Sequence, residues 1–450
     1  MRTRAARRVA ARYAWDRLRV SFWFAPAVTA LGAIMLMLAM TWLDNRIPNT
    51  QLENSGLVLS GSPDSMRTIL IGMAGIILTT AGVVFTLLTL PLSTVAAQYG
   101  SRLLRLFLAD RTTQFVLGMF VGAFVYCVAA ALSIPPAETQ PESAQLTATV
   151  GLFLMLVTFS SLILLVQHIS TMLQAPNIAV VAGDQLREVV LAETPDAAGS
   201  ADAQLQTGEA GSDILVETAG YPVCVQQTGY IQYVDLEYML TLAGEQNLVV
   251  RLMRKPGAFV SRGTVVALVW PAGRAGEQLD SRIHQAFQIG NKRTPTQDIE
   301  YAVNQLVEMA VRAMSPAIND PFTAMTCLDH MGNGLALFAH HGENPPNVYD
   351  RDGRLRIVFE PVTFGALLSA AFDMLRHCSC DNASVLLHML AVIDVIGQSV
   401  TSPEARQQLL RHVCLIQAES QAGDLIEQDR QSIHQRGEAL QTKLNEAGKH

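Results

Sequence analysis

The sequence predicts a membrane α-helical protein with four transmembrane helices, followed by an α+β region with a small β-sandwich or half-barrel module and a helical C-terminal part. Three observations carry this. Four long apolar runs lie before residue 170, and nearly all acidic residues lie after it, so the net charge of −7 describes the second part of the chain. Short β-rich runs separated by Gly or Pro occupy 214–271, and helical periodicity takes over beyond them. Of 450 residues, 50% are apolar and only 16% charged, a shift toward the membrane class.

Residues 1–20 carry Arg2, Arg4, Arg7, Arg8, Arg12, Arg17 and Arg19 against one acid, Asp16. The apolar run from Ser21 to Leu43 is too long for a signal peptide and lacks a small-residue cleavage site, so it reads as a retained span. It has the ~20 residues that cross hydrocarbon, with Trp23 and Trp42 at interfacial positions. A nucleic-acid arm is the competing reading of the arginines, but topology already accounts for them. The second span runs from about Thr68 to Leu90, ending near Pro91. The third covers Thr113 to Leu132, with Gly118 and Gly122 in G-x-x-x-G spacing, and the fourth covers Leu146 to Gln167. Counting Lys and Arg loop by loop puts the N-terminus, the 92–112 loop and everything after His168 in the cytoplasm. Residues 44–67 and 133–145 are then the outside loops.

Within the second span, Gly72, Gly75, Thr79, Gly82, Thr86, Thr89 and Ser93 recur at alternating spacings of three and four, on one helical face. Small residues admit another backbone, and hydroxyls in hydrocarbon turn toward protein or water, so this face is expected to meet another helix or line a pore. Directly after it, Arg102 and Arg105 share a helical face and, with Arg111, read as membrane-surface cations. Anionic headgroups attract each by roughly 1 kcal/mol.

Residues 171–213 read as a connector, Pro176 to Leu191, and an acidic flexible linker from Glu193 to Asp213. The β-rich module spans 214–272, with strands at Ile214–Thr218, Tyr221–Val225, Tyr230–Tyr233, Leu248–Met253 and Thr264–Val269 and a brief helix at Leu236–Ala243. Residues 273–450 form the helical domain. Thr294, Pro295 and Gln297 suggest a capping box for a helix that stops at Ser315-Pro316. Asp320-Pro321 caps the next, to about His341, and Asp352-Gly353 turns a small hairpin between Val348 and Phe359. Helices follow over Val362–Arg376, Asp381–Val400 and from Pro403 on, the last fraying after Gly437.

Five of the six cysteines follow the last apolar run without framework spacing and read as reduced thiols. His377-Cys378-Ser379-Cys380-Asp381 gathers soft ligands, but with no second pair a helix end with buried thiols is the better account. His168 and His340-His341 read as helix-end residues. Asn319 and Asp320 form a possible functional loop that could coordinate an ion, although two prolines and a capping Asp explain a rigid corner. Pro256 to Gly263 is similar to the paired turns of biotinyl- and lipoyl-type half-barrels. Lys255, the only lysine in the β-region, abuts Pro256, so the similarity implies the shape and not cofactor attachment. No cofactor, no metal and no catalytic residue are expected, because nucleophile-elbow, phosphate-loop, zincin and dinucleotide motifs are lacking.

The run Gln98-Tyr99-Gly100-Ser101-Arg102-Leu103-Leu104-Arg105, with Asp110-Arg111-Thr112-Thr113-Gln114 and Gly118, resembles the signature of a family of predicted bacterial inner-membrane proteins catalogued as a domain of unknown function. A second signature is similar: Arg293-Thr294, Gln297-Asp298, Gln305-Leu306-Val307 and Ser315 to Pro321. The resemblance covers nearly the whole chain. It implies a four-span bacterial protein with a cytosolic domain, and it carries over no particular activity and no functional residues. The residues themselves suggest an oligomeric channel or pore-like transporter with a cytosolic regulatory domain. The alternative is a non-conducting, membrane-anchored sensor or scaffold that binds a ligand or protein. Expected partners are the lipid bilayer and further copies of the chain, with no nucleic acid; the sequence names no ion or small ligand.

Overall fold

The computed structural model describes residues 23–46, 59, 61–98, 110–134, 145–172, 175–194 and 220–446. The chain divides into two compact units, Met1–Asn177 and Ile178–His450. The first holds four helices, α1 (Phe24–Asp44), α2 (Pro63–Gln98), α3 (Arg111–Ser133) and α4 (Gln145–Met172). Each is long and apolar enough to cross a membrane. The membrane-length stretch of α2 is Pro63–Thr89, close to the predicted end, while the helix itself continues through Pro91 to Gln98. A single proline is tolerated in a membrane helix, where freed backbone groups find other partners.

The centre of this unit is α3, half of it buried among the other three helices. The glycine spacing on α3 is what lets α1 come close. A Cβ on Gly122 would stand 3.2 Å from the Thr29 carbonyl oxygen, and one on Gly118 would stand 3.0 Å from Thr29 Oγ1. Thr29 Oγ1 donates to the Gly118 carbonyl at 2.7 Å, so the crossing is closed by a hydrogen bond as well as by contact. Around it, Leu70, Ile77, Phe120, Tyr126, Cys127 and Leu165 form a buried core.

Carboxylates fasten both ends of the bundle. Buried Asp44, ending α1, accepts from Leu146 N and Thr147 N at 2.9 Å each and from Thr147 Oγ1 at 2.5 Å. It therefore satisfies backbone donors at the start of α4 that have no partner within their own helix. At the other end, Asp110 accepts from Thr113 N at 2.7 Å and meets His168 Nε2 at 3.0 Å.

The second unit opens within helix α5 (Ala175–Glu193), where the sequence suggested only a connector. The acidic segment 195–213 and the strand expected at 214–218 lie outside the described residues. Then come β1 (Tyr221–Cys224), β2 (Gly229–Val234), α6 (Leu236–Gln246), β3 (Val249–Leu252), β4 (Phe259–Val260), β5 (Val265–Trp270), α7 (Glu277–His284) and β6 (Phe287–Gly290). One sheet has the order β1-β5-β3-β8-β7, with β8 (Leu355–Val358) parallel to β3 and antiparallel to β7 (Asn347–Tyr349). The other has the order β4-β2-β6. The β-module therefore does not stop at residue 272. It takes β6 and the 347–358 hairpin from what reads along the chain as helical domain, because β3 leaves an edge that only a distant strand fills. Arg356 clamps that hairpin, donating to Asp350 at 2.6 Å and to Asn247 Oδ1 at 2.8 Å.

The helical part comprises α8 (Ile299–Ala313), α9 (Pro321–His341), α10 (Phe364–Cys378), α11 (Ala383–Gly397), α12 (Pro403–Ala422) and α13 (Glu427–Glu446). The C-terminal stretch is two helices, and the second continues well past Gly437. The cap of α8 is Asp298, not Thr294. Asp298 competes successfully because Arg293 holds it, with Nε to Oδ2 at 2.8 Å and Nη2 to Oδ1 at 3.0 Å, while Tyr301 N donates to Oδ1 at 2.9 Å.

Candidate functional site

The Gly/Thr face of α2 lies on the outside of its unit. Gly72, Gly75, Thr79, Gly82, Thr86 and Thr89 are all exposed, and a Cβ on any of the three glycines would meet nothing within 4 Å. The side of α2 that packs is apolar, with Leu70, Met73, Ala74, Ile77 and Val84 buried. The expectation that the small face meets a helix or a wet cavity is therefore not fulfilled within one copy of the chain. Each hydroxyl is bonded along its own helix: Thr79 to the Gly75 carbonyl at 2.9 Å, Thr86 to Gly82 at 3.1 Å and Thr89 to Thr86 at 3.0 Å. This uses the donor and leaves the oxygen's remaining acceptor capacity facing outward. Ser93 belongs to the same helix, but its side chain lies outside the described residues.

The interior of the bundle is mainly apolar but holds buried polar side chains: the hydroxyls of Tyr126, Thr158 and Ser161 donate to the Thr147, Leu154 and Thr158 carbonyls at 2.9, 2.7 and 2.7 Å, and Gln114 is buried as well.

In the second unit, a cleft with about 110 Å³ of space for water centres lies between the β-module and the helices, several times the ~10–15 Å³ that one water needs. Leu252, Phe338 and Phe359 supply apolar walls, and Arg254 and Lys255 bring positive charge. Glu193, the last residue of α5, lines it too. Burial pushes the Glu193 carboxyl up to about 8, opposed by a hydrogen bond from the Gln297 side chain. Gln297 also binds the backbone of β2: Val234 N donates to Oε1 at 2.7 Å, and Nε2 donates to the Val234 carbonyl at 3.2 Å. The second sequence signature thus joins sheet to helix. Asp298 caps α8 directly behind Gly257, whose φ is +87°, and a Cβ there would collide with Asp298 Oδ2.

Arg102 and Arg105 lie outside the described residues; Arg111 is the first residue of α3 and is exposed. Asn319 and Asp320 are brought together, but as a corner. Asn319 is left-handed at φ +47°, while Asp320 accepts from Thr323 N at 3.1 Å and from Thr323 Oγ1 at 2.5 Å, so its oxygens serve the start of α9. His168 pairs with Asp110, a helix-end role. Lys255 lies 3.4 Å from Glu300. Cys378 is exposed and Cys380 half-buried, unlike the buried thiols expected at that helix end. Asp44 and Glu193, which sequence reasoning passed over, prove structurally central, as does Asp298, which it quoted only within the second signature. The first two had no signal, because their partners lie far along the chain.

A family model described as a predicted membrane protein, DUF2254, matches residues 19–394. Uncharacterized proteins of Mycobacterium bovis and of Mycobacterium tuberculosis strain H37Rv are each 27% identical over 386 residues, covering 84% of this chain and 72% of their own length. No solved structure matches. The matched stretch contains all four membrane-length helices, the segment after α2 and the Arg293 to Pro321 run that builds the sheet–helix junction. On that extent, the chain belongs to the DUF2254 family of predicted membrane proteins.

Proposed function

We propose that the protein is an oligomeric channel or pore-like transporter of a bacterial inner membrane, assembled along its second spans and governed by the C-terminal unit on the cytoplasmic side. The observation that carries this reading is the uncovered Gly/Thr face of α2. Three glycines allow a neighbouring backbone to approach, and the outward acceptors of Thr79, Thr86 and Thr89 suit water or a cation. Packing alone explains the threonines poorly, because an interhelical hydroxyl bond in a membrane averages about 0.6 kcal/mol.

A second reading is a non-conducting sensor or scaffold, favoured by the cleft beside Glu193, which has room for a small ligand. Thr86→Leu separates the two. In reconstituted bilayers a pore loses conductance while cross-linking still reports assembly. If the wild type shows no conductance under voltage or tension and Thr86→Leu only weakens assembly, the scaffold reading replaces the channel.

A further inference from the structure

Helices α5 and α9 run parallel. His330 packs on Gly183, Leu186 packs on Gly334, and Asn344 Nδ2 donates to the Glu193 carbonyl at 2.5 Å, so numbering rises along both helices together. The beginning of α5 is thus level with the beginning of α9 and with the Ser315 to Pro321 corner. Helix α11 runs the same way, because His388 meets Asp329 at 2.7 Å and Val392 packs on Gly332. Its start, after Asp381, is therefore at that same end. So is the turn between α12 and α13, where Asp424 N donates to Asp381 Oδ1 at 2.6 Å.

This end carries large apolar side chains that nothing in the unit covers: Ile318 at 47% exposure, Phe322 at 76%, Met374 at 61% and Ile426 at 66%. It is also the end at which the chain enters the unit, since only residues 173 and 174 separate Met172 of the fourth span from Ala175 of α5.

We propose that this end of the C-terminal unit rests on the bilayer, with Ile318, Phe322 and Ile426 entering the interfacial layer. The contact is apolar in character. Among the described residues there, Arg312 pairs with Glu308, Arg376 with Glu419 and Arg430 with the Gly423 carbonyl, and Asp381, Asp424, Glu427 and Asp429 stand near the same end. Attraction of a basic patch to anionic lipid is therefore not what holds it, and salt should leave the contact intact.

The test uses the full chain in phosphatidylcholine nanodiscs, with the exposed Cys378 and Cys414 changed to Ser. A polarity-sensitive fluorophore is placed by Phe322→Cys, Ile426→Cys or, at the far part of α11, Val395→Cys. Lipids carrying a nitroxide on the acyl chain should quench the first two several-fold more than the third, with little change in high salt. Adding Phe322→Asp to the Ile426→Cys protein should reduce quenching at 426. Equal quenching at all three positions overturns the proposal. So does a blue shift at 322 and 426 without lipid quenching, which would identify a protein partner at this end.

Discussion

Glu193 occupies a place where a carboxylate is costly, since burial raises its carboxyl to about 8 and only Gln297 opposes the shift. Tyr233, Arg254, Lys255 and Glu360 are the other titratable groups around it. A carboxyl whose pKa is higher folded than unfolded gives stability that is fully present below the unfolded value, near 4.5, and is lost as pH rises to about 8. Buried His412 works in the opposite direction: burial lowers it to about 4, so its contribution is lost as pH falls from 6.5. Above pH 6.5 the two effects separate. Thermal unfolding between pH 6.5 and 8.5 should therefore weaken the wild type by on the order of 1 kcal/mol more than Glu193→Gln. Parallel curves for the two proteins would remove Glu193 from the account. None of this was legible along the chain, because Val234, Gln297, Phe338 and Phe359 make the environment and lie 41 or more positions away. The capping-box expectation at Thr294 went astray for a related reason: Gln297 fits the local rule, but the edge of β2 takes it and leaves Asp298 as the cap.

Two helices carry the same signal of small residues, with different outcomes. On α3 the G-x-x-x-G spacing is filled within the chain, by Thr29 of α1 at Gly118 and Gly122. On α2 the face with Gly72, Gly75 and Gly82 is left open. Spacing reveals which face is suited to close approach but not whether the approaching helix belongs to the same chain. Four spans were legible because about 20 consecutive apolar residues have few alternatives, and most strands were legible from their punctuation. Segment α5 was not, since it packs on α9, far along the chain, with Gly183 against His330 and Leu186 against Gly334. The contrast between the two glycine faces is testable by substitution. Gly122→Leu overpacks a filled crossing and should cost roughly 1–3 kcal/mol of bundle stability in detergent. Gly72→Leu should leave the melting of a single bundle unchanged and act only on association between copies. If both variants melt like the wild type, the α1–α3 crossing is looser than the 3.2 Å approach at Gly122 implies.

At the scale of the whole molecule, the contacts within the first unit sort its ends into two sets. Asp44 bonded to Leu146 and Thr147, with Arg67 Nε donating to the Ala131 carbonyl at 3.2 Å, puts the α1–α2 and α3–α4 connections at one end. Thr29 against Gly118 and Asp110 against His168 put the start of α1, the α2–α3 connection and the exit from α4 at the other. The second end receives the seven arginines of residues 1–20 as well as Arg102, Arg105 and Arg111, whereas 135–144 carries no Lys or Arg. A charge bias of this size orients spans with the basic side in the cytoplasm. Both termini and the C-terminal unit are then predicted to be cytoplasmic. Cysteines introduced by Ser60→Cys and Thr139→Cys should react with an impermeant maleimide in intact cells, and the exposed Cys378 and Cys414 should react only after lysis. Labelling of Cys378 in intact cells, with protection at 60 and 139, would invert the molecule. It would also leave the arginines without the topological role that their number and placement imply.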